Sequence, residues 1–140
     1  MRESTIATVK APLTVAQGLG LAAGTEVFDV GRLYAIGTEP IAYLQHFLPK
    51  EIDGRKVLID GLRDGATTFL REAHDVQVTG SDSQITAEAA TEKWAERLGV
   101  AVGAPLLMMN TRLSAVGLGP ISLGRLVFRQ GKVSLGLYID

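Results

Sequence analysis

The 140-residue chain predicts an α+β fold in which helices flank one antiparallel sheet shared by two half-domains. A duplicated stretch is the first observation behind this. Residues 16–47 recur as residues 95–128. Ala16, Leu19-Gly20-Leu21, Gly24, Arg32-Leu33, Ala35, Gly37 and Pro40-Ile41 answer Ala95, Leu98-Gly99-Val100, Gly103, Arg112-Leu113, Ala115, Gly117 and Pro120-Ile121. The offset is 79 residues up to the glycines and 80 from the arginines onward, so one residue is gained between them. So many matches in one order mark an internal repeat. Second, each copy reads as a helix end, a Leu-Gly turn and two strands joined by a Gly/Pro-bounded hairpin, and hairpin strands pair antiparallel. Third, Leu62, Ala66, Phe69, Leu70 and Ala73 recur at spacings of three and four between the copies, which marks an amphipathic helix.

Taken in order, the β-branched residues 4–10 predict a short edge strand. Pro12 suits the first turn of a helix, where its missing N–H costs nothing. Leu13, Ala16 and Leu19 lie on one face of that helix, which Gly20 ends. Residues 26–36 read as a strand, turned by Gly37-Thr38-Glu39-Pro40 into a second over residues 41–48, with Pro49 expected to stop the pairing. Residues 50–63 form a mixed connection around Val57-Leu58-Ile59. Residues 75–85 predict a long strand. Thr86 is expected to cap the next helix, with Glu88 in its first turn and Ala87, Ala90, Trp94 and Leu98 as its buried stripe. The second copy supplies strands over 106–116 and 121–129. A Gln130-Gly131 turn then leads to a last strand over 132–139.

Composition narrows the functional classes. Hydrophobic residues make up 46% and charged residues 21%, ordinary values for one globular domain. No apolar run is long enough to span a bilayer, so no membrane partner is expected. The absence of cysteine excludes disulfides, thiol nucleophiles and Cys-type metal sites, and fits a cytoplasmic setting. Only His46 and His74 offer imidazole, so neither a zinc-hydrolase centre nor a cofactor is expected. Fourteen basic residues scattered among fifteen acidic ones, for a net charge of −1, argue against direct DNA binding.

The pattern A-x-x-L-G-L-x-x-G, then R-L with G-x-x-P-I, then the amphipathic helix, then the run over residues 85–112, resembles the UTRA domain. That is the effector-binding domain of HutC-type regulators in the GntR superfamily, and the resemblance covers residues 8–138. It implies a chorismate-lyase-like fold, with an antiparallel sheet flanked by helices and a small-molecule pocket between them. It implies a single effector-binding domain over residues 1–140 and a winged helix-turn-helix before it. No such segment is among these residues, so the expectation is an excised domain or a stand-alone copy, with DNA contacted only through that absent domain.

The resemblance also implies pocket residues. The family's R-x-R appears as Arg32-Leu33-Tyr34, with the second arginine replaced by tyrosine. Where many members place an acidic residue and then Ser or Thr, this chain has Leu44 and His46; where Glu is frequent, it has Ser122. Ligand-binding residues are therefore expected to be Arg32, Tyr34, Leu44, His46 and Ser122. Losing two carboxylates argues against amino-sugar-like ligands and points to a less polar or anionic effector, or to a decayed site.

Each residue also has a structural alternative. Arg32 offers a fork for a carboxylate or phosphate, or else an ion pair with Asp29 or Glu39. Arg112, its apparent repeat mate, favours a structural pair at the sheet edge. His46 reads equally as ligand donor or hydrogen-bonded structural residue. Tyr43 and Trp94 read as packing, and of Met108 and Met109 only one can face inward. Asp75 and Asp82, with Ser81 and Ser83, read as loop rather than metal site. Three functional classes stand: effector sensing, a chorismate-lyase-like enzyme on the same fold, and a ligand-free dimerisation module. A C₂ homodimer is expected, because regulators of this kind read palindromic operators.

Overall fold

The structure, a computed structural model, describes residues 3–62 and 66–131. One six-stranded sheet organises them. Its strands are β1 (Glu3–Lys10), β2 (Glu26–Ile36), β3 (Glu39–Pro49), β6 (Gly80–Ala89), β7 (Pro105–Ala115) and β8 (Gly119–Arg129), in the order β1-β2-β3-β8-β7-β6. Every neighbouring pair is antiparallel. The order reads the same from either edge once the second copy is substituted for the first. Helix α1 (Leu13–Leu19) lies between β1 and β2 as α3 (Glu92–Leu98) lies between β6 and β7. Both end on a glycine in the left-handed region, Gly20 at φ 67° and Gly99 at φ 66°, which a side chain with a Cβ would strain.

The residue gained between the copies lies in the hairpin turn. The β2–β3 turn has two residues between its strands and the β7–β8 turn has three. Each first strand carries its irregularity at the same place, between Tyr34 and Ala35 and between Leu113 and Ser114. Just before it, Tyr34 pairs with Ala42 as Leu113 pairs with Ser122. Counting back, Arg32 corresponds to Thr111, and Arg112 corresponds to Leu33. The Arg-Leu match in the sequence is thus one residue out of structural register, and a one-residue slip turns a side chain to the other face. Arg32 and Arg112 lie on opposite faces of the sheet.

Two packed layers cover those faces. On one, α1 packs Val15, Ala16 and Leu19 over Val27, Phe47 and Leu123. On the same face α3 packs Trp94, Ala95 and Leu98 over Leu33, Tyr43, Met108 and Val127. The opposite face carries Val30, Leu48 and Ile121 and is covered by Ile52, Val57, Ile59, Leu62 and helix α2 (Ala66–His74), whose Phe69 and Leu70 are buried. Residues 50–62 are more ordered than a mixed connection. They contain the small hairpin β4 (Glu51–Ile52) and β5 (Arg55–Lys56), then a 3₁₀ turn (Ile59–Gly61). Leu62 belongs to the end of that turn rather than to the helix.

The second half departs most from expectation. Residues 80–89 pair with β7 along their whole length, so Thr86 lies in a strand and Thr91 is the cap of α3, its Oγ1 accepting from the Trp94 amide at 3.5 Å. Strand β6 is an edge with every residue exposed. Nothing therefore selected the apolar alternation that marks a half-buried strand, and Ala87 and Ala90 passed for a helical stripe. Residues 75–79 precede the strand, with Val76 and Val78 in the core. Pro49 does not stop the pairing; it is the last residue of β3, opposite Val27. The strand expected over 132–139 lies outside the described residues.

Candidate functional site

Register places the five expected pocket residues on one face, the one α2 covers. Arg32 pairs with Leu44, Tyr34 with Ala42 and Val30 with His46, while β8 continues through Gly124 opposite His46, with Ser122 two residues on. Arg32 is 5% exposed, and its guanidinium donates to the Leu62 carbonyl at 2.9 Å, which ties β2 to the turn before α2. The expected carboxylate partners are engaged elsewhere: Asp29 accepts from Gln45 on the other face, and Glu39 pairs with Arg129 at 3.4 Å. Tyr34 and Leu44 are half-buried on the hairpin side of this group.

Two polar atoms here are buried without a hydrogen-bond partner among the described residues: Nδ1 of His46 and Oγ of Ser122. The imidazole lies over Gly124, where a Cβ would stand 3.7 Å from Nδ1 and Cε1. Burial, reinforced by the Arg32 charge, lowers the His46 pKa to about 4, so the ring is neutral near pH 7 and offers one donor and one acceptor. Buried polar groups are nearly always satisfied, so these two atoms call for a partner such as an ordered water or a polar ligand. The chemistry available is recognition: a fixed cation, a neutral imidazole, a hydroxyl and two half-buried walls. Among these five side chains there is no carboxylate.

The opposite face holds a second feature that sequence reasoning missed. Between α1 and α3, Gly31, Gln45, Arg125, Asn110 and Gln84 stand in one row across β2, β3, β8, β7 and β6. Gln45, Arg125, Asn110 and Gln84 of this row floor a cleft of about 670 Å³ walled by Thr14, Val15 and Gly18 of α1 and Lys93 of α3. Arg125 donates through Nε to Asn110 Oδ1 at 2.9 Å, and Arg112 pairs with Asp82 at 3.3 Å, the expected pair at the sheet edge. Partial burial lowers the Lys93 pKa, with Arg97 and Arg125 adding to the shift and Asp29 opposing it. The signal was present in the sequence. Gln45 and Arg125 interrupt the apolar alternations Tyr43-x-x-x-Phe47 and Leu123-x-x-x-Val127 at positions 80 apart.

Tyr43 and Trp94 are packing residues, meeting edge-to-face at 5.6 Å between centroids, with the Arg97 guanidinium 4.5 Å above the tyrosine ring. Of the two methionines, Met108 faces the α3 core and Met109 the other side.

Residues 4–133 match the UTRA domain family. The chain belongs to that family. As a UTRA domain it is an effector-binding regulatory domain, and the α+β architecture recurs in its solved relatives. A transcriptional regulator from Streptomyces coelicolor is 30% identical, with a TM-score of 0.78 over 94% of this chain and 88% of that one. The ligand-binding domain of a GntR-family regulator from Bordetella bronchiseptica shares the fold at 22% identity, with a TM-score of 0.80 over 99% and 92% of the two chains. The HTH-type transcriptional regulator Rv0792c of Mycobacterium tuberculosis is 29% identical over 106 residues, 74% of this chain. That match spans 38% of the regulator's length, so the UTRA domain here corresponds to well under half of it. No helix among the described residues is long and apolar enough to cross a membrane.

Proposed function

We propose that this UTRA domain senses a small anionic effector on the α2 side of its sheet, within a cytoplasmic, homodimeric transcriptional regulator whose DNA contacts come from another domain. Arg32 supplies the fixed charge, His46 and Ser122 the polar contacts, and Tyr34 and Leu44 the walls. The observation that carries the reading is the pair of buried, unpartnered polar atoms beside a buried guanidinium. An anion accepting from Arg32 and Ser122 there gains charge-assisted bonds in a low-dielectric setting. Catalysis is no part of the reading: a lyase would need an acid near its leaving group, and the five side chains include none. Relatives named as regulators favour the same conclusion.

The test begins with native mass spectrometry of protein from its own host, to reveal a copurifying small molecule. Calorimetric titration of that molecule then compares wild type with Arg32→Gln. Losing one charged contact should weaken binding about ten- to a hundredfold. Equal affinities would remove Arg32 from the site. Light scattering at tens of micromolar checks the dimer, and a monomer there would refute it.

A further inference from the structure

We propose that the cleft between α1 and α3 is a second binding site, on the sheet face opposite the effector pocket, for an amphiphilic organic anion: an apolar body carrying one carboxylate, sulfonate or phosphate. Its two ends differ in chemistry. Toward α1 the surface is apolar, with Pro12, Val15, Phe47 and Leu123. Gly18 lets the helix lie directly on this floor, since a Cβ there would stand 2.7 Å from Leu123 Cδ1. Toward α3 the surface is cationic.

The charges on this side do not cancel. Lys93 lines it from α3, Arg125 from β8 and Arg112 from β7, and Asp82 of β6 is the carboxylate in the lining. Arg97, stacked on Tyr43, and Asp29 of β2 act on Lys93 from outside the lining, with opposite signs. Asp82 is held by Arg112, and Asp29 accepts from the Gln45 amide at 3.0 Å. Lys93 and Arg125 have no ion pair among the described residues. The Lys93 pKa is lowered first by partial burial and then by Arg97, and Arg125 lies close enough to add to the shift. Arg125 is oriented by its Nε bond to Asn110, which leaves the guanidinium's terminal nitrogens for a ligand. Two unneutralised cations beside an apolar floor, in a cleft of about 670 Å³, match an anionic head on an apolar body. Gln45 and Asn110 add amide groups on the floor between them.

The position follows from the duplication. The cleft sits where the two halves meet, over the middle of the sheet, and α1 and α3 are the repeat counterparts that wall it. The halves are not alike there: Gln45 in one is Arg125 in the other, which makes the cleft charged at one end only.

The experiment titrates 1-naphthylacetate and its neutral amide, 1-naphthylacetamide, into the isotopically labelled protein, following amide shifts. Expected are saturable shifts at Gln45, Asn110 and Arg125, and an affinity for the amide about tenfold weaker. Lys93→Gln and Arg125→Gln, both at exposed positions, should each weaken the acid about tenfold by the same reasoning. Thr14→Trp, which fills the cleft from an exposed position, should abolish binding. Arg32→Gln should leave it unchanged, so failure of this site and failure of the effector pocket are separable. The proposal is overturned by no saturable binding at millimolar concentration, by shifts centred on Arg32 and His46, or by an affinity indifferent to the Lys93→Gln/Arg125→Gln double variant.

Discussion

Gln45 of β3 and Arg125 of β8 are both cross-strand partners and repeat counterparts, so the pseudo-twofold axis of the domain passes between them. The consequence is geometric. Each half-domain brings its own short helix to one sheet face, and the two helices stop on either side of that axis. Between them a row of polar side chains crosses the centre of the sheet, with Gln45 buried and Arg125, Asn110 and Gln84 more open to the cleft. On the other face, the connection between the halves folds back, Leu62 accepting from Arg32 and α2 packing Phe69 and Leu70 into the cluster of Val30, Leu48 and Ile121. One duplication thus leaves two dissimilar faces.

The His46 environment predicts a pH dependence of stability. Its pKa is about 4 in the folded protein, against the 6.5 of an ordinary histidine, so the unfolded chain binds the proton more tightly between those values. The contribution is fully present above pH 6.5 and is lost progressively as the pH falls toward 4. At most it amounts to roughly 3 kcal/mol at 1.36 kcal/mol per unit. Urea unfolding of wild type and His46→Leu across that window checks this. The variant should lose the slope, and a slope that persists would assign it to other groups.

Ser122→Ala should leave the ligand-free melting temperature unchanged or raise it. The hydroxyl is fully buried and unpartnered among the described residues, and such a group costs about 1–3 kcal/mol in the folded state. A clear drop in melting temperature would mean that the hydroxyl is satisfied in solution.

Gly31 has no room for a side chain. A Cβ there would overlap the Tyr43 hydroxyl and come within 3.0 Å of Thr5 Oγ1. Gly31→Ala should destabilise by about 1–3 kcal/mol, as overpacking does. Gly31→Ala/Tyr43→Phe should recover part of that loss in denaturant melts. No recovery would place the cost in the backbone instead.

Thr91→Ala removes the N-cap of α3, a helix of seven residues that depends on its cap and on Trp94. The expected loss is about 0.5–1 kcal/mol, the lower range for a cap because the bond is long at 3.5 Å. Thr86→Ala, at the position that sequence reasoning favoured for the cap, should be near neutral because Thr86 is exposed on β6. If the two effects were reversed, the helix boundary would have to move back to Thr86.

The sequence by itself determined the fold class, the duplication, both hairpins and the helices of each half. Those are carried by local signals: Gly and Pro at turns, period-two alternation, and apolar residues three and four apart. Parity along a strand sufficed to group Arg32 with Tyr34 and, through the hairpin, with Leu44 and His46. Only the tertiary structure decided what depends on register between distant strands. It placed the extra residue in the β7–β8 turn, which separated Arg112 from Arg32 by a whole sheet face. It made residues 80–89 an edge strand, because pairing with β7 supplies the backbone bonds that an exposed, pattern-free segment cannot announce. And it lined Gln45, Arg125, Asn110 and Gln84 into one row, since residues tens of positions apart become neighbours only when strands pair.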